Sequence, residues 1–351
     1  MKSKPIAGVV VFMIAGALVG GSYAEVICFK NGKTIDAKIV STTADSIQVD
    51  VGTTPITYYL DEVASIDGKP VASAVAPLTQ ETSDAGRLAE KRVVPVILKA
   101  ENYEITPRLK EETSLAVNIV YSLYREWFGF EYPDDFEVKV RIFDSLDLFE
   151  RFQMKRYGKI ISHTGVYMPD LKECLVWKNT DKSSMLSLIL HETNHALFDA
   201  QVSELPKWID EGASEFFSAL YVDKGALGVT WVHDWDAWCK YKVRYEKQFD
   251  IRKYLVMSEQ EWADANASSG GRAYDIAWSM AAFMMSSPQR RDILKNMFSF
   301  FNEYPHEARR SIMALEKYYR GGVDQFDKDW RAWVLEPRKD LILFDSNAKK
   351  N

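Results

Sequence analysis

The run Leu190-His191-Glu192-Thr193-Asn194-His195-Ala196 places two imidazoles four residues apart, with a carboxylate beside the first. Apolar residues around it recur at helical spacing, so the segment is expected as a helix. On a helix, positions i and i+4 project from one face. His191 and His195 can then offer two ring nitrogens to one zinc ion. Glu192 can reach a water at that ion without itself becoming a ligand, which is the place of a general base. The alternative is a pair of solvated histidines beside a surface glutamate. The chain has only five histidines, so the H-E-x-x-H spacing seldom arises by chance.

A tetrahedral catalytic zinc site needs a third protein ligand and one open position. Downstream, Pro206-Lys207-Trp208-Ile209-Asp210-Glu211-Gly212-Ala213-Ser214-Glu215 opens with a proline suited to a helix start. Glu211 and Glu215 are four apart and share a helix face. Glu211 is expected as the third metal ligand. Glu215 is expected to accept a hydrogen bond from a ligand histidine and set its tautomer; a solvated charge is the alternative. Gly212 is expected to leave room for the two helices to approach closely.

Together, His191-Glu192-x-x-His195 and Trp208-x-x-Glu211-Gly212-x-x-Glu215 resemble the gluzincin metallopeptidases, and in particular the bacterial peptidase MA-like family, whose members carry H-E-x-x-H and then W-[LI]-x-E-G-x-[AS]-E. The resemblance runs from Val93 to Leu335, and only the two metal motifs in it are highly specific. It implies one zinc per chain and hydrolysis of peptide bonds, with Glu192 moving the proton. It also points to Tyr274, which opens a helix after Ser268-Ser269-Gly270-Gly271, as a donor to the developing oxyanion. An ordinary half-buried tyrosine is the alternative in a chain with 17 of them. His163 and His233 are lesser candidates for that role. The strand around Tyr167 is expected, from the same resemblance, to be an edge that pairs with an extended substrate backbone.

Two departures stand out. Fifteen residues separate His195 from Glu211, fewer than in the larger gluzincin aminopeptidases, and Ser214 stands where alanine is usual. A metzincin is excluded, because Phe198 and Gln201 occupy the places of its glycine and third histidine. No G-x-M-E-N type segment is present, which favours an endopeptidase or an unusual exopeptidase over a larger aminopeptidase.

The elements that must position these residues read as an α+β chain. Strand-type residues at 26–29, 34–40, 46–51 and 56–60, with a hairpin turn at Asn31-Gly32, resemble a small SH3-like or Sm-like β-barrel over 25–68. A Pro/Ser/Thr-bearing linker is expected over 69–92. A zincin-like domain of mixed sheet, active-site helix and mostly helical remainder is expected over 93–340, with a tail at 341–351. Within it, strands are expected at 93–98, 103–105, 136–143, 165–168 and 174–177, and helices from Pro107 to Trp127 and from Leu146 to Phe152. Trp231, Trp235 and Trp238 sit near helical spacing and read as core, or as an aromatic wall facing substrate.

Residues 1–24 read as a signal peptide. Lys2 and Lys4 precede the apolar stretch Ile6 to Gly21, and Ser22-Tyr23-Ala24 supplies the small residues for cleavage after Ala24. The stretch is shorter than the roughly 20 residues of a spanning helix. The chain is therefore expected in the periplasm or outside the cell, with an uncleaved anchor as the alternative. Cys28, Cys174 and Cys239 are an odd set with no metal-binding spacing, so thiols without a catalytic role are expected. The net charge of −6 and the lack of a basic tract argue against nucleic acid as a partner. A peptide or protein substrate is expected, with a possible envelope partner for the β-domain. The competing function is an exported binding or scaffold protein whose zinc site is structural or idle.

Overall fold

The computed structural model describes residues 24–30, 32–42, 46–50, 55–60, 63–71, 93–178, 185–223, 226–230, 232–246, 249–337 and 341–345. The expected signal peptide, most of the linker, Trp231 and the last six residues lie outside these. The chain divides between residues 79 and 80 into two compact units. Among the described residues, no helix is long and apolar enough to cross a membrane.

The first unit is an antiparallel sheet. Its strands are β1 (Glu25–Phe29), β2 (Thr34–Thr42), β3 (Ser46–Asp50), β4 (Pro55–Tyr59), β5 (Val63–Ile66) and β6 (Lys69–Pro70), in the order β4-β3-β2-β1-β5-β6. Period-two alternation turns Ile27, Phe29, Ile47, Val49 and Val63 to one small core. The expected barrel is corrected in one respect: among the described residues no pairing joins β4 to β6, so the sheet stays open. It also runs two residues into the segment read as linker, because Lys69–Pro70 pairs with β5.

The second unit begins with β7 (Val96–Glu101) and α1 (Pro107–Phe128). Thr106 caps α1 by accepting the Leu109 N–H at 3.1 Å, and Pro107 fills the first helical position. That cap draws Tyr103-Glu104-Ile105 into the helix approach, so these residues are not the strand expected of them. Next come β8 (Val138–Phe143), α2 (Leu146–Tyr157), β9 (Gly165–Met168) and β10 (Glu173–Trp177). The sheet order is β7-β8-β10-β9; the β7–β8 and β8–β10 pairs are parallel and β10–β9 is antiparallel. Among the described residues β9 pairs only with β10, which makes it an edge.

The rest is helical, as expected, with one exception. The helices are α3 (Met185–Asp199), α4 (Lys207–Ser218), α5 (His233–Tyr245), α6 (Ile251–Leu255), α7 (Glu259–Ser269), α8 (Arg272–Met285), α9 (Pro288–Glu303), α10 (Arg310–Tyr318) and α11 (Gly322–Leu335). The exception is a three-stranded antiparallel sheet of β11 (Leu220–Asp223), β12 (Ala226–Val229) and β13 (Leu341–Asp345). Leu341–Asp345 is thus a paired strand and not a tail. Strands of four or five residues carry too little periodicity to be told from a helix end.

α8 is the spine of this unit. All its residues but Arg272 and Tyr274 are buried, as befits a helix that is apolar all round. α4 lies against α8 on one side and α3 on the other. Gly212 explains the closeness of α4 and α8: a Cβ there would stand 2.3 Å from the Ala277 carbonyl oxygen and 3.1 Å from the Ala281 Cβ. The expected service of Gly212 to the ligand-bearing pair is therefore corrected, since its bare face meets α8. Trp208, 1% exposed, anchors α4 from below, its indole N–H donating to the Ser311 hydroxyl at 3.0 Å. Truncation of such a buried indole costs about 3–5 kcal/mol.

Candidate metal centre

α3 lies under the sheet against β8, β9 and β10, with α1 and α4 at its flanks. The two residues between Glu192 and His195 face the core. Asn194 accepts a 2.6 Å hydrogen bond from the buried Tyr124 hydroxyl and donates to the Leu190 carbonyl at 2.7 Å. Buried polar groups with both partners in place hold a helix in one rotation. With α3 so oriented, His191 and His195 emerge on the side facing α4.

Their Nε2 atoms stand 3.3 Å apart. Glu211 on α4 brings its Oε2 to 3.5 Å from the His191 Nε2 and 3.7 Å from the His195 Nε2. Two nitrogens and one oxygen thus form a triangle with edges of 3.3, 3.5 and 3.7 Å. Ligands about 2.0–2.1 Å from a tetrahedral zinc are separated by about 3.3–3.4 Å. The donor set and its spacing fit such an ion with shifts of a few tenths of an ångström. His191, His195 and Glu211 are the group of metal-capable residues found among the described residues.

The remaining ring nitrogens are held from behind. The His195 Nδ1 lies 2.7 Å from the Asp210 Oδ1, a full hydrogen bond. Ser214 donates to the Asp210 carbonyl at 2.9 Å and stands 3.5 Å from the same Nδ1, so its hydroxyl contributes where alanine could not. The His191 Nδ1 faces the Glu215 Oε1 at 3.5 Å, the outer limit of a hydrogen bond. Glu215 thus stands on the expected side of a ligand histidine. Asp210 was not anticipated, yet it leaves a trace in the sequence. On α4, Trp208, Ile209, Gly212, Ala213, Phe216 and Phe217 are buried, while Asp210, Glu211, Ser214 and Glu215 form one polar stripe at helical spacing. A polar stripe on a helix buried elsewhere must meet a polar partner.

Glu192 occupies the other side of the histidine pair. It is 4% exposed, and its carboxylate lies against Gly165 of β9, where a Cβ would meet its Oε1 at 2.6 Å. Burial pushes its carboxyl above the usual range, and the nearby Glu211 adds to this. His191, His195 and the Tyr167 backbone N–H pull the other way. Burial would lower the pKa of the histidines, but their carboxylates prevail. Glu215, Glu211 and Glu192 hold His191 at about 10, and Asp210 and Glu211 hold His195 at about 9. The carboxylates around the metal-free pair thus favour the protonated form of the rings. Lys207 sits beside Asp210 and Glu211 at 3.6 Å from each. Burial disfavours its charge, and the surrounding carboxylates restore it.

These groups line a cleft of about 1000 Å³. Gly165, Val166 and Tyr167 of the edge strand border it, and so do Trp235 and Tyr274. Tyr274 lies in the first turn of α8, edge-on to Trp262 at 5.4 Å. Burial, and then the Glu211 charge, raise its pKa, so the phenol keeps its proton. The other two candidates stand elsewhere. His163 is 72% exposed and bonds Glu150 at 2.6 Å, and His233 is exposed at the start of α5; neither lines the cleft. Trp235 packs edge-on against Trp278 and lines the cleft as well, whereas Trp238 stacks on Tyr241. Cys28, Cys174 and Cys239 are free thiols, the last two buried. No protein-family model matches the chain, and no curated protein does either.

Proposed function

We propose that this chain is a zinc-dependent peptidase of the gluzincin kind, with a zincin-like fold over its second unit. The observation that carries the proposal is the triangle of the His191 Nε2, His195 Nε2 and Glu211 Oε2, with the buried Glu192 carboxylate beside it and a cleft in front. Bound at that triangle, a zinc ion would supply the Lewis acidity that activates water and a carbonyl oxygen at neutral pH. The protein's own groups account for the rest. Glu192, with its pKa raised by burial, takes a proton from the attacking water and delivers it to the leaving amine. Asp210 and Glu215 orient the two imidazoles. Tyr274, protonated and on the cleft wall, donates to the developing negative oxygen.

The open edge of β9 supports a peptide as substrate. An extended backbone can add to such an edge through its own N–H and C=O groups, past Glu192 beneath Gly165. The apolar stretch before Ala24 supports export, and the small β-unit is the part suited to recruiting a partner.

Metal content and turnover on one sample test the reading. The purified protein should carry about one zinc per chain. It should cleave members of a broad peptide library, and Glu192→Gln should keep the metal while losing about 10²–10⁴-fold in rate. Bound zinc without any cleavage would favour the scaffold reading. Undiminished cleavage by E192Q would remove Glu192 as the base.

A further inference from the structure

Lys207 belongs to neither metal motif, yet its ammonium touches three carboxylates. It lies 3.6 Å from the Asp210 Oδ2, 3.6 Å from the Glu211 Oε1 and 3.2 Å from the Glu259 Oε1. The oxygens involved are informative. Asp210 points its Oδ1 at the His195 Nδ1 and its Oδ2 at Lys207. Glu211 points its Oε2 at both Nε2 atoms and its Oε1 at Lys207. In both carboxylates one oxygen serves a histidine or the metal position, and the other is drawn away by the same cation. Glu259, at the start of α7, holds that cation from the far side.

A carboxylate can bind a metal through one oxygen or through both. A second oxygen from Glu211 would raise the metal from four ligands to five and crowd the water position that catalysis needs. Turning Glu211 about its inner side-chain bonds, so that the carboxylate faces the metal position squarely, would carry Oε1 inward beside Oε2. The ammonium opposes that rotation. We propose that Lys207 is a positioning residue that keeps Glu211 a one-oxygen ligand and thereby leaves a position on the metal open. This rests on the metal-binding part of the proposed function and on none of its claims about substrate.

Cobalt(II) in place of zinc gives a test without substrate, because visible absorption of cobalt is intense with four ligands and weakens as ligands are added. The wild-type protein, loaded with one equivalent of cobalt, should show the four-ligand spectrum. Lys207→Met, which keeps the aliphatic stem and removes the charge, should bind cobalt fully, with absorption lowered about twofold or more as Glu211 closes on the metal. K207Q should behave alike if the methionine variant folds poorly, and K207R should restore the wild-type spectrum. An unchanged spectrum in fully loaded K207M or K207Q would overturn the proposal. So would loss of cobalt from a folded variant, since a freed carboxylate oxygen strengthens binding. A wild-type protein that binds neither cobalt nor zinc would instead sink the metal reading itself.

Discussion

The two sides of the metal centre are held unequally. His195 is gripped by a 2.7 Å bond to the Asp210 carboxylate, whose other oxygen faces Lys207. His191 faces Glu215 across 3.5 Å, with no comparable brace. Both imidazoles come from one helix, so α3 cannot be the source of the difference. It arises on α4, whose first turn carries Asp210 and whose third carries Glu215. Asp210 lies near the positive end of that helix, where its negative charge is favoured. The stronger grip thus sits where the backbone already stabilises a carboxylate. A short second bond fixes which ring nitrogen carries the proton, and so which one faces the metal.

The comparison can be broken or sharpened, beginning with the largest effect. Glu211→Ala removes the one group that both sides share. Zinc content should fall from about one per chain to near none, measured after dialysis against metal-free buffer. Retained stoichiometric zinc would remove Glu211 from the ligand set.

Acidity should act on both sides together. The pair is held at about 10 and about 9 in the metal-free protein, so at neutral pH a proton must leave before metal enters. A raised pKa means the proton competes at every pH below it. Zinc affinity should therefore climb about tenfold per pH unit from pH 6 to 8 for each proton displaced, and level off only above about 10. Competition titration with a chelator at several pH values reads this. A flat profile would mean that the imidazoles enter neutral.

Truncating each brace alone should then separate the sides. Asp210→Ala is expected to weaken zinc about 100-fold and Glu215→Ala about 10-fold. Equal losses would show that the two distances carry no functional difference. Gly212→Ala should have the mildest effect on the site but a measurable one on the fold. Its new Cβ meets the α8 backbone at 2.3 Å, which should cost about 1–3 kcal/mol in denaturant unfolding at unchanged zinc stoichiometry.

The site was unevenly legible in the sequence. His191, Glu192, His195, Glu211 and Glu215 could be read because a helix converts spacing four into a shared face. Asp210 stands next to Glu211 in the chain, yet its role needed the packing of α4 between α3 and α8, which turns a whole polar stripe toward the histidines. Lys207 was illegible for the same reason, and its contact with Glu259 also joins residues far apart in the chain. His163 and His233 share the residue type of the metal ligands, but both are exposed and neither lines the cleft. In the fold, the long periodic segment of α1 was plain. The strands β11 to β13 were missed because short strands owe their existence to a partner more than to their own pattern. The open edge between β4 and β6 escaped as well, since local turns do not say whether the last strand meets the first.

What the sequence determined alone was local: the turns, caps such as Thr106, the amphipathic helices, and the spacing of the metal-capable side chains on them. Each follows from interactions within a few residues. The tertiary structure decided which oxygen of each carboxylate meets a histidine and which meets Lys207, and where the cleft opens beside β9. Those depend on how α3, α4 and α8 are packed, and packing is set by contacts such as Gly212 on Ala277 that sequence distance does not reveal.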